Sequence, residues 1–285
     1  MNQVYLNGEF LPAEQAKISP MDRGFLFGDG VYEVIPSYNG KMVGFEPHIN
    51  RLNNGLKELK IQLSTQLQDW RTLCEKLLSL NSSGNLGIYI QVSRGADTKR
   101  SHAYPQGISP TVFAFTFEIP AAPVADINNA RTAKVITTTD RRWQRCHIKS
   151  TSLLGNVMHY QQGVEHSANE TLLFDQSDYL TEASSSNVFI VKNRHIVTPP
   201  LSTALLPGIT RQLILDILRM HSEYRVSEAQ ISKTDVLNAD EVWLTSSSKE
   251  LMPVIQVDDT LINSGIPGEI WQQAQALYSK HKFDY

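Results

Sequence analysis

The sequence predicts an α+β protein of two domains, on three observations. Asn7-Gly8 and Asn39-Gly40 each stand between short apolar runs, and an Asn-Gly pair accepts positive φ cheaply, so both read as hairpin turns. Stretches with apolar residues three and four apart alternate with runs dense in β-branched and aromatic residues. A proline-punctuated break, "EIPAAPVADINNA", reads as a linker. The expected organisation is a smaller N-terminal domain over 1–120, a linker over 121–130 and a larger C-terminal domain over 131–285.

In chain order, "VYLNGEFLP" and "GVYEVIPSYNGKMVGF" are hairpins. "PHINRLNNGLKELKI" places Ile49, Leu52, Leu56 and Leu59 on one helical face. "LGIYIQVSRG" and "PTVFAFTFEIP" are strands, separated by the polar loop "ADTKRSHAYPQGISP". Beyond the linker, strands at "AKVITTT", "TLLFDQ", "NVFIV" and "EVWLTSS" alternate with helices at "SLLGNVMHYQQGVEHSA" and "TRQLILDILRMHS".

A chain of 285 residues with 41% hydrophobic and 19% charged residues can build a sizeable core. Its net charge of −3 and lack of a basic run argue against a nucleic-acid partner, and no apolar run is long enough to span a membrane. Two cysteines, Cys74 and Cys146, form no paired pattern, and the N-terminus lacks a signal-peptide signature, so a reduced cytoplasmic setting is expected. His159 and His166 lie seven residues apart without a clear third ligand, which argues against a metal site.

Three places can carry chemistry. In "RRWQRCHIKSTSLLGN", Lys149 runs into small and apolar residues with no acid nearby. It is either a surface lysine or a Schiff-base lysine held near the cations Arg141, Arg142 and Arg145. In "YLTEASSSNVFIV", Glu182 closes a strand: it is either part of a serine-rich turn or a carboxylate that keeps a pyridine nitrogen protonated. In "LLPGITRQLILDIL", Pro207-Gly208 precede a helix whose first turn, with Thr210, is either simply capped or an anion cradle. Ser246 and Ser247 in "WLTSSSKE" and Arg51 in "PHINRL" are further candidates for holding a phosphate.

Taken together, "DRGFLFGDGVYEVI", "HINRL", "RGADTKRSHAYP", "RCHIKSTSLLGN", "TEASSSNVF", "LPGITR" and "DEVWLTSSSKELMPVI" resemble, in order and spacing, the class IV (fold type IV) pyridoxal-phosphate aminotransferases. The resemblance covers nearly the whole chain and is strongest to the D-amino acid branch. It implies a two-domain fold type IV enzyme with pyridoxal 5′-phosphate at the domain interface. It further implies that Lys149 is the Schiff-base lysine and that Glu182 faces the ring nitrogen. Arg51, Ile209, Thr210, Ser246 and Ser247 would hold the 5′-phosphate, and Tyr32 would line the substrate side. Arg100 and His102 match the Arg-x-His pair that joins the tyrosine in trapping the substrate α-carboxylate from the partner subunit, which implies a homodimer.

That pair separates the D-amino acid enzymes from branched-chain L-aminotransferases and aminodeoxychorismate lyases, the alternatives sharing the lysine, the glutamate and the phosphate cup. The implied reaction is a ping-pong transamination between a D-amino acid (D-alanine, D-glutamate) and a 2-oxo acid (pyruvate, 2-oxoglutarate). Two positions depart from the pattern: His147 stands where an acidic residue is usual, and Ala183 replaces a glycine.

Overall fold

The computed structural model describes residues 3–81 and 83–285. The chain forms two compact units. The first runs to Ala121 and also takes in Ile148–Leu153; the second comprises Ala122–His147 and Leu154–Asp284.

The first unit is an antiparallel sheet backed by two helices. Its strands are β1 (Gln3–Leu6), β2 (Glu9–Pro12), β3 (Gly30–Tyr38), β4 (Lys41–Met42), β5 (Asn85–Ser93) and β6 (Thr111–Glu118), with a short helix α1 (Arg23–Phe27) before β3. Among the described residues the order is β2-β1-β6-β5-β3-β4. Both Asn-Gly turns form as expected, with Asn7 and Asn39 at φ 49° and 51°. The helices α2 (Phe45–Glu58) and α3 (Leu67–Leu80) cover one face. Ile49, Leu52 and Leu56 of α2 and Trp70, Leu73 and Leu77 of α3 bury against Val31, Ile35, Ile88 and Ile90 of the sheet. Each such side chain contributes roughly 1.5–3 kcal/mol of burial.

The second unit holds a mixed sheet. Its strands are β7 (Ala133–Thr139), β8 (Glu170–Phe174), β9 (Leu180–Ala183), β10 (Asn187–Lys192), β11 (His195–Thr198), β12 (Arg225–Glu228), β13 (Glu241–Ser246), β14 (Glu250–Val257) and β15 (Thr260–Leu261). The order is β12-β11-β10-β13-β14-β7-β8-β9, with β15 pairing β14. Its helices are α4 (Leu154–Glu165), α5 (Ile209–His221), α6 (Lys233–Leu237) and α7 (Glu269–His281). Period-two alternation decides which face each side chain serves. On β13, Val242 and Leu244 join the core that includes Val236 of α6, while Trp243 stacks on Phe189 on the other face. The helices α5 and α7 pack on each other and on β13.

Candidate active site

In the first unit the alternation of β3 sends Glu33 and Tyr32 to opposite faces. Glu33 meets α2, where His48 and Arg51, three residues apart, share one side of the helix. Arg51 donates to Glu33 through Nε at 2.7 Å and Nη2 at 2.8 Å, and His48 Nδ1 lies 2.7 Å from Oε2. Burial pushes the Glu33 carboxyl up, but Arg51 and His48 outweigh it and hold the group well below the usual carboxylate range. Burial drives His48 the other way, below the ordinary imidazole value.

Tyr32 faces Lys149. The segment carrying the lysine lies along the start of β3: Tyr32 N–H donates to the Lys149 carbonyl at 3.0 Å, and Thr151 N–H to that of Gly30 at 3.0 Å. Gly28 closes α1 at φ 66°, and a Cβ there would collide with Ser152 Oγ at 2.4 Å. Only glycine satisfies both constraints. The Lys149 Nζ sits 4.2 Å from the centre of the Tyr32 ring.

Arg100 and His102 lie together on the loop between β5 and β6. Arg100 stands over the Phe27 ring at 5.0 Å, and the His102 and Phe27 rings are 5.4 Å apart. The loop is anchored from below. Arg23, buried and paired with Asp29, donates to the carbonyls of Ser101 at 2.5 Å and His102 at 3.3 Å. Arg94 also pairs with Asp29 and lies 3.6 Å from the Tyr104 ring centre.

In the second unit Glu182 is buried at the end of β9. Its Oε1 accepts from Arg142 Nη1 at 2.5 Å, and its Oε2 from Leu206 N–H at 3.1 Å and Asn187 Nδ2 at 3.2 Å. Burial lifts the Glu182 pKa to about 7, against the pull of Arg142. Of the three arginines expected around the lysine, Arg142 is the one turned toward Glu182, while Arg141 and Arg145 are exposed.

Asn187 links this carboxylate to the start of α5. It pairs with Thr245 across β10 and β13, and a Cβ on Gly208 would strike its Oδ1 at 1.9 Å. The N-terminus of α5 receives no side-chain cap, and Ile209 and Thr210 form its buried first turn. Among the described residues, the buried hydroxyls Thr245 Oγ1 and Ser246 Oγ have no hydrogen-bond partner. Ser247 follows in the turn after β13. Uncapped amides beside two unmet hydroxyls form a site suited to an anion with several acceptor oxygens.

The sequence alone does not single out Thr245, Asn187, Glu33 or His48, and it sets Arg142 beside the lysine rather than beside Glu182. The polar positions within β3 and α2, Glu33 and His48, carry a signal, since a charge inside an apolar strand needs a partner. Thr245 and Asn187 carry no local signal; their place comes from strand register. His159, weighed as a metal ligand, accepts the Arg141 amide through Nε2 at 3.2 Å.

Residues 30–257 match the model of the family described as amino-transferase class IV. The D-alanine aminotransferase of Bacillus licheniformis is 38% identical over 273 residues, covering 96% of this chain and 94% of that protein. Its counterpart from Staphylococcus aureus (strain N315) is 36% identical over 284 residues, covering 99% and 98%. Among solved structures, the Escherichia coli branched-chain amino acid aminotransferase superposes with a TM-score of 0.90 at 22% identity, covering 98% of this chain and 94% of that one. The T.th. branched-chain amino acid aminotransferase with pyridoxamine 5′-phosphate gives 0.91 at 23%, covering 99% and 94%. At these identities the structural likeness speaks for the fold; the family match over most of the chain places the protein among the class IV aminotransferases.

Proposed function

We propose that the chain transfers the amino group of a D-amino acid, D-alanine or D-glutamate, to a 2-oxo acid such as pyruvate or 2-oxoglutarate. Pyridoxal 5′-phosphate is the cofactor and the sequence is ping-pong. The observation that carries this reading is full-length identity of 35–38% to D-alanine aminotransferases, against 20–23% to branched-chain enzymes of the same fold.

The residues present fit the cofactor. The α5 N-terminus with the unmet hydroxyls of Thr245 and Ser246, followed by Ser247, suits its phosphate; Arg51, which Glu33 orients within the first unit, is the cation that the family resemblance would add. Glu182 suits a protonated ring nitrogen. Bound pyridoxal phosphate supplies an aldehyde that condenses with amines and a ring that draws electrons from the carbon losing its proton. Lys149 would hold that aldehyde, and its Nζ would take up the substrate α-proton and return it. Such a positioned base contributes about 10²- to 10⁴-fold. Tyr32 orients the substrate beside Lys149. Arg100 and His102, supplied by a second copy, trap its α-carboxylate, a planar group that a guanidinium fork matches in two hydrogen bonds.

A homodimer is supported by α4, whose Leu154, Val157 and Met158 are 73%, 58% and 65% exposed at a spacing that forms one apolar stripe. A cytoplasmic setting is supported by the free, buried Cys74 and Cys146 and by the absence, among the described residues, of a helix able to cross a membrane.

The test is a half-reaction screen of the purified yellow protein with D- and L-alanine, D- and L-glutamate and L-leucine. Loss of the cofactor band with D-isomers alone is expected. Bleaching by L-leucine but not by D-alanine would move the protein to the branched-chain reading.

A further inference from the structure

The Arg142 guanidinium is divided between two carboxylates. Its Nε donates to Asp140 Oδ1 at 3.0 Å and its Nη2 to Asp140 Oδ2 at 2.7 Å, while Nη1 reaches Glu182. The remaining contact of Nη2 is the Ala204 carbonyl at 3.1 Å, and the side chain is 2% exposed. Asp140 is fixed in turn by the Arg142 amide and the Thr181 hydroxyl, both at 2.9 Å. Gly155, at the start of α4, lies against the arginine stem.

We propose that Asp140 and Arg142 are a positioning pair that keeps Glu182 ionised and aimed, and so sets the protonation of the cofactor's ring nitrogen. The inference rests on the pyridoxal-phosphate reading above. Charge count carries it. Two carboxylates and one guanidinium leave this buried cluster one negative charge in excess, a costly state that a protonated ring nitrogen brings to neutrality. Besides Arg142 and Asp140, the titratable group facing Glu182 is Cys146 on the same loop; from β10 and the segment before α5 come Asn187 and the Leu206 amide, which do not titrate. Without the guanidinium, two facing carboxylates would remain in a buried place. Glu182 would then take up a proton and lose its hold on the ring. Burial already lifts the Glu182 carboxyl to about 7, so little is needed to tip it.

Holoenzyme rebuilt with pyridoxal phosphate carrying ¹⁵N in its ring gives the readout directly, because the nitrogen's chemical shift reports its proton. In the native protein the ring nitrogen should stay protonated between about pH 6 and pH 9, and in Arg142→Met it should deprotonate within that range. Cofactor affinity, read from tryptophan quenching, should fall about tenfold or more, one unit of pKa coupling being tenfold. Arg142→Lys, which keeps a cation, should recover part of both. Because Arg142→Met strands Asp140, the double variant Asp140→Asn/Arg142→Met serves as the folded counterpart: it returns the cluster to one negative charge and should hold the ring nitrogen protonated across that range. Borohydride reduction that leaves no label on Lys149 of the native protein takes down the proposed function itself. Native labelling with an unchanged nitrogen titration in Arg142→Met, or an early deprotonation in the double variant, takes down this inference alone.

Discussion

The Lys149 ammonium lies 4.2 Å from the centre of the Tyr32 ring, and the same two residues share a backbone hydrogen bond of 3.0 Å. The amine is thus placed twice, through its main chain and over an aromatic face. Tyr32→Phe keeps both and removes only the hydroxyl proposed to meet substrate. Steady-state kinetics should show KM for the amino donor rising about tenfold, the value of one hydrogen bond to a charged group, with borohydride labelling of Lys149 unchanged.

Lys149→Ala and Arg100→Ala should differ in kind. The first removes the base and should lower kcat by about 10²- to 10⁴-fold or more. The second removes uniform binding and should raise KM with kcat largely kept. An unchanged KM in Arg100→Ala would remove the carboxylate trap from the proposal.

Arg23 touches neither reacting group but donates to the carbonyls of Ser101 and His102. Arg23→Met should therefore resemble a weakened Arg100→Ala, with higher KM for the amino donor, and protease nicking within residues 96–108 should quicken. Nicking at the native rate would mean that the loop holds its shape without this anchor.

Glu33 makes stability depend on acid. Its carboxyl is held below its ordinary value of 4.5, so the unfolded chain binds the proton first as pH falls. The Glu33 contribution is complete above about pH 4.5 and is lost as pH drops below it toward the folded value. His48, lowered from 6.5, acts in the same direction at higher pH, because the unfolded chain takes up its proton first. Urea melts between about pH 7 and pH 3 should show the midpoint falling with acid, and Glu33→Gln should flatten that slope below about pH 4.5.

Lys282 and Glu250 form a buried pair at 2.5 Å, with Gln275 donating to the second Glu250 oxygen at 2.8 Å. Lys282→Met leaves the carboxylate without this cation and should cost about 3–5 kcal/mol in a urea titration. Lys282→Met/Glu250→Gln should recover most of that loss. A single variant as stable as the native protein would show the pair to be energetically idle.

The elements that the sequence announces are those whose signals are local. The Asn-Gly turns, the α2 stripe and the strands after the linker all form where their patterns predict. The helix α7 is silent because its cap is remote. Glu241, far upstream, accepts from the amides of Ile270 at 2.9 Å and Trp271 at 2.8 Å, and Gly268 itself supplies no side chain. Strand β14 is masked by Pro253, which pairs with Trp243 on one edge while pairing to β7 on the other begins only at Val254. Among the candidate residues, Lys149 and Glu182 stand out in their motifs, but the guanidinium that grips Glu182 lies 40 positions away. No local pattern assigns Arg142 to one acid rather than another.

Residues 148–153 belong to the first unit although they are encoded well after Ala121. During synthesis, the margin of β3 at Gly30 and Tyr32, which receives Lys149 and Thr151, stays unfinished while the intervening stretch leaves the ribosome. An N-terminal fragment stopping at Ala121 would lack this border strip, so a complementing peptide spanning it should join the fragment and protect the Tyr32 amide, and its own Thr151 amide, from hydrogen exchange.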